Sequence, residues 1–315
     1  MGPPGSHPTL RPTAFASRRA ELRRLAPYHA YRVGAAIAQA LPTPIAVGFA
    51  ERAGLVAGHL MKGRRDMMRR HLARLMGLRG DELDAAVDRA FASYGRYWLE
   101  SFRLSDQDAA SLEAGMTYEG LGHVEASLAL GRGAIMAMPH LGAWDWGGAW
   151  LAVSFPLTVV AETLEPVELF DWFARWRERV GMEVVALGPD AGAGVANALR
   201  RGRVVGLLCD RDIAGDGIEV EFFGERTRIP AGPAMLALRT GAPLLPCCVL
   251  FEGDHRRAIV RPPLDTSRRG SLREDVQRIA QELADALADL IRLAPEQWHV
   301  FQPNWPSDLD GAGPA

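Results

Sequence analysis

The chain has 315 residues, of which 48% are hydrophobic and 23% charged, with a net charge of −2. That is enough to bury one large core, with or without a helical appendage, and is the composition of a globular protein rather than a disordered or fibrous one. No run approaches the roughly 18 apolar residues that span a bilayer, and MGPPGSHPTLRPTAFASRR at the start has no apolar stretch of the kind a secretory signal needs. Its Met-Gly opening matches a myristoylation signal only in part, since Pro3 and Pro4 argue against it. Cys209, Cys247 and Cys248 lie in or beside apolar runs, which fits a reducing compartment and suggests neither a disulfide nor a shared metal site.

The small net charge hides an asymmetry. Residues 1–79 carry 14 Lys and Arg against 3 Asp and Glu, a balance of +11, which leaves −13 for the remainder. A basic end of this kind points to an anionic partner, either phospholipid or nucleic acid. The aromatics of this region are spaced like core residues and no nucleic-acid motif is present, so a lipid surface is expected and nucleic acid is not.

In chain order, residues 1–26 read as a disordered lead-in. Helices follow: 28–40, stopped by Leu41-Pro42, and a second from Pro44 with Ile45, Phe49, Ala53, Val56 and Leu60 at helical spacing. On a third, Met67, Met68, Leu72, Leu75 and Met76 form one face and Arg64, Arg65, Arg69, Arg70 and Arg74 the other. Such a helix suits a membrane interface, or equally a helix packed on its own domain with a solvated Arg face. A fourth covers 81–103. After Leu104 strands and helices alternate. Strands are expected at 134–138, 157–161, 183–187, 204–209, 218–222, 244–250 and 258–260. Helices are expected at 124–130, 142–153, 167–180, 192–201, 232–240 and 272–293. This alternation predicts an α/β fold: a mixed, largely parallel central sheet flanked by helices, with a helical, basic N-terminal region. The expected division is a single domain over 27–306, helical and membrane-facing at 27–104 and α/β at 105–306, with a tail at 307–315.

The chemistry concentrates in GRGAIMAMPHLGAWDWGGAW, residues 131–150. A buried strand ends at Pro139, and His140 and Asp145 follow. Five positions within one regular helix turn through roughly 140°, which would point the two side chains apart. If His140 instead sits in the loop and Asp145 in the first helical turn, the carboxylate faces back to the imidazole. It then fixes the tautomer and leaves the other ring nitrogen as a base. A lone His near an Asp is more often structural. The place after a strand and before a glycine-rich helix is where open α/β sheets carry their sites. An oxyanion donor is expected from a backbone N–H of the Gly142 turn or from an Arg side chain.

A second cluster follows the strand at 204–209: Asp210-Arg211-Asp212, then the half-buried alternation of 218–222, the turn at Phe223-Gly224-Glu225, and a helix start at 230–233. It suits either an internal ion-pair cluster or an anion site. Glu162 follows another strand, and Arg177 sits on the next helix. His59, His71, His255 and His299 show no metal spacing, and there is no serine-hydrolase elbow or phosphate loop.

SYGRYWLESFRL at 93–104, His140-x4-Asp145, AETL at 161–164, DRDIAGDGIEVEFFGERTRIPAGPA at 210–234 and PEQWHVFQPNWP at 295–306 together resemble the bacterial lysophospholipid acyltransferase superfamily. The branch is that of the lipid A lauroyl/myristoyl acyltransferases, and within it the actinobacterial phosphatidylinositol mannoside acyltransferases. The resemblance spans about residues 28–306 and implies a glycerol-3-phosphate acyltransferase-like fold with a membrane-associating N-terminal region. It also implies acyl transfer from acyl-CoA, as co-substrate and without metal or other cofactor, to a sugar hydroxyl of a membrane glycolipid. In this branch the acceptor is a mannose of phosphatidylinositol mannoside; another lysophospholipid or glycolipid acceptor, or a non-catalytic lipid-binding role, are the alternatives. The same resemblance makes His140 the base and Asp145 its partner, places Glu162, Arg177, Arg211 and Glu225 in the site, and sets the protein peripherally on the cytoplasmic face of the plasma membrane.

Overall fold

A computed structural model describes residues 14–310. Four helices come first: α1 (Ala14–Ala40), α2 (Thr43–Leu60), α3 (Lys62–Met76) and α4 (Gly80–Arg103). The α/β part then runs α5 (Ala109–Ala114), β1 (Met116–Glu119), α6 (Leu121–Ala129), β2 (Ala134–Met138), α7 (Trp144–Ser154), β3 (Leu157–Ala161), α8 (Val167–Arg179), β4 (Met182–Ala186), α9 (Ala191–Arg200) and β5 (Val204–Leu208). It closes with β6 (Ile218–Phe222), β7 (Glu225–Ile229), α10 (Gly232–Thr240), β8 (Leu244–Glu252), β9 (His255–Val260), α11 (Leu272–Arg292) and α12 (Pro306–Asp310).

Seven strands form one sheet in the order β1-β9-β8-β2-β5-β3-β4, with β6 and β7 as a separate hairpin. All neighbours in the large sheet are parallel except β8 and β9. The central strands are apolar on both faces because helices cover both. Successive side chains alternate accordingly. Ile135, Ala137, Val205 and Leu244 join the core under α9, α10 and α11. Ala134, Met136, Val204 and Leu245 join the core under α7 on the other face. A capping box, Ser271 with Glu274, starts α11.

The expected mixed, largely parallel sheet is present, and β2, β3 and β6 occupy the segments expected for them. Three differences stand out. The lead-in expected over 1–26 is helical from Ala14; residues 1–13 lie outside the described residues. The tail expected after 306 carries α12, fastened by Asp308, whose carboxylate accepts from the Asn304 and Trp305 amides and pairs with buried His71. Helix α3 packs its apolar face on its own domain. Met68 and Leu72 are fully buried against α4, and Arg65, Arg69 and Arg74 pair with Asp88, Asp84 and Glu225. Among the four N-terminal helices, exposed large apolar side chains lie on α1 and α2, including Val33, Ile37, Ile45, Phe49, Val56 and Leu60. No described helix is long and apolar enough to cross a membrane.

Helices α2 and α4 cross at two glycines. A Cβ on Gly54 would fall 2.1 Å from the Phe91 carbonyl oxygen, and one on Gly95 2.1 Å from that of Ala50. Only glycine permits this approach, which sets α4 against both α2 and the start of α7.

Candidate active site

His140 lies two residues beyond β2, and Asp210 two residues beyond β5. These strands are parallel neighbours with Met138 opposite Leu208, so the same register brings His140 level with Asp210. The Asp210 carboxylate accepts from His140 twice, from Nδ1 at 2.6 Å and from the backbone N–H at 2.8 Å. It also accepts from Trp298 Nε1 at 2.7 Å. Asp210 is fully buried. Burial pushes its carboxyl up, but the His140 imidazole, its backbone N–H and the Trp298 N–H outweigh this and hold it below the ordinary carboxylate value. An ionised carboxylate on Nδ1 fixes the tautomer and leaves Nε2 as the basic nitrogen. Nε2 has no hydrogen-bond partner among the described residues, and the ring is partly exposed to a cavity.

The expected pairing of His140 with Asp145 is therefore not what the fold builds. Asp145 sits in the first turn of α7, as expected, but its carboxylate turns toward α4 and α8. There it accepts from Tyr97 Oη at 2.7 Å and from Arg177 Nε at 3.1 Å. Burial and the neighbouring carboxylate push the Tyr97 phenol well above its ordinary value. Burial alone would lower the Arg177 guanidinium, but Asp145 and Tyr97 raise it. Tyr97 stacks on Trp144 with ring centroids 4.0 Å apart, and Trp144 and His140 meet edge to face. Asp145, Arg177 and Tyr97 thus position the start of α7 and the loop that carries the imidazole.

Gly142 makes that loop possible. Its φ is +62°, and a Cβ there would fall 2.2 Å from the Val249 carbonyl oxygen. The loop's amides are already committed: Leu141 N–H to Pro139 O, Gly142 N–H to Gln297 O and Ala143 N–H to Val249 O. The backbone donor expected in this turn is thus unavailable to an oxyanion. Gly147 and Gly148 bring α7 down onto the sheet, since a Cβ at either would strike Val249 or Met182.

A cavity of about 490 Å³ opens beside His140. Glu162 and Arg211 stand at its mouth with the imidazole, so the structure brings these expected residues together. Arg211 makes no ion pair among the described residues. Arg177 also lines the cavity, through its hold on Asp145. Below the mouth the walls are apolar, with Met136, Met138, Leu157, Val159, Cys247 and Val260. Because Leu157 begins β3 and Ala161 ends it, the cavity follows that strand for about 13 Å. Glu225 is not in the site. It begins β7, pairs with Arg74 at 2.9 Å and does not line the cavity.

One wall residue had no signal of its own in the sequence. His299 is buried, its backbone N–H donates to the His140 carbonyl, and its Nε2 lies 2.9 Å from Ser93 Oγ. Nδ1 has no partner. Burial and the nearby His140 push the imidazole down to about 3, so it is neutral. Its place inside the PEQWH segment was the one pointer to it.

Residues 15–307 match the model of the bacterial lipid A biosynthesis acyltransferase family. The chain belongs to that family. This acyltransferase is 39% identical over 284 residues to the phosphatidylinositol mannoside acyltransferase of Mycolicibacterium smegmatis, covering 89% of this chain and 91% of the relative. It is 39% identical over 299 residues to the enzyme of the same name from Mycobacterium tuberculosis, covering 92% of each. The acyltransferase therefore aligns with these relatives nearly end to end, across both the helical region and the α/β part.

Proposed function

We propose that this acyltransferase moves a fatty acyl chain from acyl-CoA to a sugar hydroxyl of a membrane glycolipid, a mannose of phosphatidylinositol mannoside. The observation that carries the reading is a single one: an imidazole with Nδ1 on a buried carboxylate and Nε2 open, at the mouth of a deep apolar cavity. The cavity takes the acyl chain, with the thioester carbonyl at the mouth. A sugar hydroxyl ionises far above neutral pH, so it needs its proton removed as it attacks. His140 Nε2 takes that proton while the oxygen bonds to the carbonyl carbon. The imidazolium is stabilised by Asp210. It returns the proton to the departing thiolate as the tetrahedral intermediate collapses and the C–S bond breaks. With the loop amides committed, Arg211 is the rim donor we assign to the oxyanion.

The exposed apolar side chains of α1 and α2, together with the basic balance of residues 1–79, support a peripheral seat on the anionic cytoplasmic leaflet. The identity and coverage of the mannoside relatives support the acceptor.

The test is acyl transfer from radiolabelled palmitoyl-CoA to phosphatidylinositol mannoside by His140→Ala. Transfer is expected to fall by roughly 10²–10⁴-fold with the fold retained by circular dichroism. A folded, active variant would overturn the mechanism. Transfer by the wild type to another glycolipid but not to the mannoside would replace the acceptor.

A further inference from the structure

A second groove, of about 470 Å³, lies between α1, α2 and α4. Its floor is the glycine crossing, Gly54 and Gly95, and its walls include Ile37, Phe49, Ala57 and Phe102. Arg64 is the only charged side chain lining it among the described residues. The groove does not contain His140, but it shares Tyr31, Arg64, Tyr94, Trp98 and Phe301 with the catalytic cavity, so the two meet at a junction. Arg64 is exposed there and has no carboxylate within ion-pair distance among the described residues, unlike Arg65, Arg69 and Arg74 on the same helix.

We infer that this groove holds a hydrocarbon tail of the acceptor lipid, with the lipid's phosphate against Arg64, while the donor's acyl chain fills the cavity beneath α7. The inference rests on the acyl-transfer reading for its choice of occupant. The donor's reacting carbonyl must lie beside the hydroxyl that Nε2 deprotonates, which commits the cavity beside His140 to the acyl chain. The acceptor's reacting hydroxyl is separated from its own tails by the sugar, the inositol and the phosphate. Its tails must therefore be covered at a distance from His140, by a surface that still communicates with it. The groove meets that requirement. Its one cation stands where the apolar tail and the polar headgroup of such a lipid would join, and a guanidinium there offers a phosphate paired donors. The flanking exposed residues Val33, Ile45 and Val56 place the groove beside the membrane-seated face proposed above, from which a lipid would enter.

The experiment uses the full chain and needs no turnover. Phosphatidylcholine vesicles are doped with a phosphatidylinositol that carries a diazirine in one tail, and the labelled positions are mapped by mass spectrometry. Label is expected on groove-lining Gly34, Ala57 and Tyr94. Ala57→Trp should reduce it roughly tenfold by filling the groove. Arg64→Gln should reduce it similarly, and leave labelling by a diazirine-bearing diacylglycerol, which has no phosphate, unaltered. Should Ala57→Trp not fold, Ala53→Leu blocks the same groove. Label confined to outward-facing Ile45 and Leu60, or unaltered by either groove variant, overturns the inference. In the kinetic arm, Ala57→Trp is expected to lower the ratio of kcat/KM for intact over deacylated mannoside by about tenfold. An equal effect on both substrates also overturns it. Failure of the acyl-transfer reading is separate: it appears as no transfer by the wild type to either substrate, whatever the labelling shows.

Discussion

Two carboxylates stand near the ends of parallel strands on one edge of the sheet, and they are held in opposite ways. Asp210 comes from the strand beside that of His140, is buried among donors, and ends on the imidazole. Asp145 is only five residues from His140 in sequence, yet its carboxylate is clamped by Arg177 and Tyr97. Sequence proximity favoured Asp145, whereas sheet register selects Asp210. The former pins the start of α7 and its loop, and the latter is the electrostatic partner of the His140 imidazole.

The largest expected effect that separates them is that of Asp210→Asn. An amide cannot supply the charge that stabilises imidazolium, so transfer should fall by roughly 10²–10⁴-fold while substrate binding changes little. Steady-state kinetics read this as a loss in kcat at nearly constant KM. Asp145→Asn breaks a different thing. It leaves the half-buried Arg177 guanidinium without its counter-charge, which costs up to about 3 kcal/mol of stability. Urea unfolding should show it, and Arg177→Met in the same background should recover part of the loss.

A smaller effect concerns the neutral wall of the site. Because the folded His299 imidazole is held down to about 3 against an ordinary 6.5, the unfolded chain binds a proton in that window that the folded chain does not. Stability from this residue is thus complete above about pH 6.5 and declines as the pH falls toward 3, by at most about 1.4 kcal/mol per unit. Comparing wild type with His299→Asn between pH 6.5 and 5 should show the steeper decline in the wild type. The smallest effect is at Glu225. Glu225→Gln should leave acyl transfer within about twofold and cost no more than about 1 kcal/mol, since it loses one partly exposed ion pair.

These contrasts follow from what a sequence carries. The apolar strands β2, β3 and β5 are marked by their composition, and His140, Glu162 and Arg211 are marked by following them. Those local signals were sufficient for a largely parallel sheet and for three residues that line one cavity. Pairing across the sheet is not local. The link from His140 to Asp210 depends on β2 and β5 being neighbours in a given register, which a separation of 70 positions in sequence conceals. Strand β1 has one buried residue in four, so it lacks a period to read. Helix α12 exists because Asp308 closes on His71 and on the amides of Asn304 and Trp305, a tertiary effect. The Arg face of α3 matches a membrane helix in pattern, but Asp88, Asp84 and Glu225, the last on a distant hairpin, pair with three of its arginines, Arg65, Arg69 and Arg74. Glu225 itself was placed in the site by the family motif, yet the hairpin turns it to α3.

The most direct measurement of the His140–Asp210 assignment is the tautomer of that imidazole, read by nitrogen NMR on histidine-labelled protein and assigned through His140→Ala. The wild type and Asp145→Asn should both show Nδ1 protonated and Nε2 bare, and Asp210→Asn should lose that preference. If the preference survives in Asp210→Asn and disappears in Asp145→Asn, then the partner of the base is Asp145 and the mechanism given above is wrong.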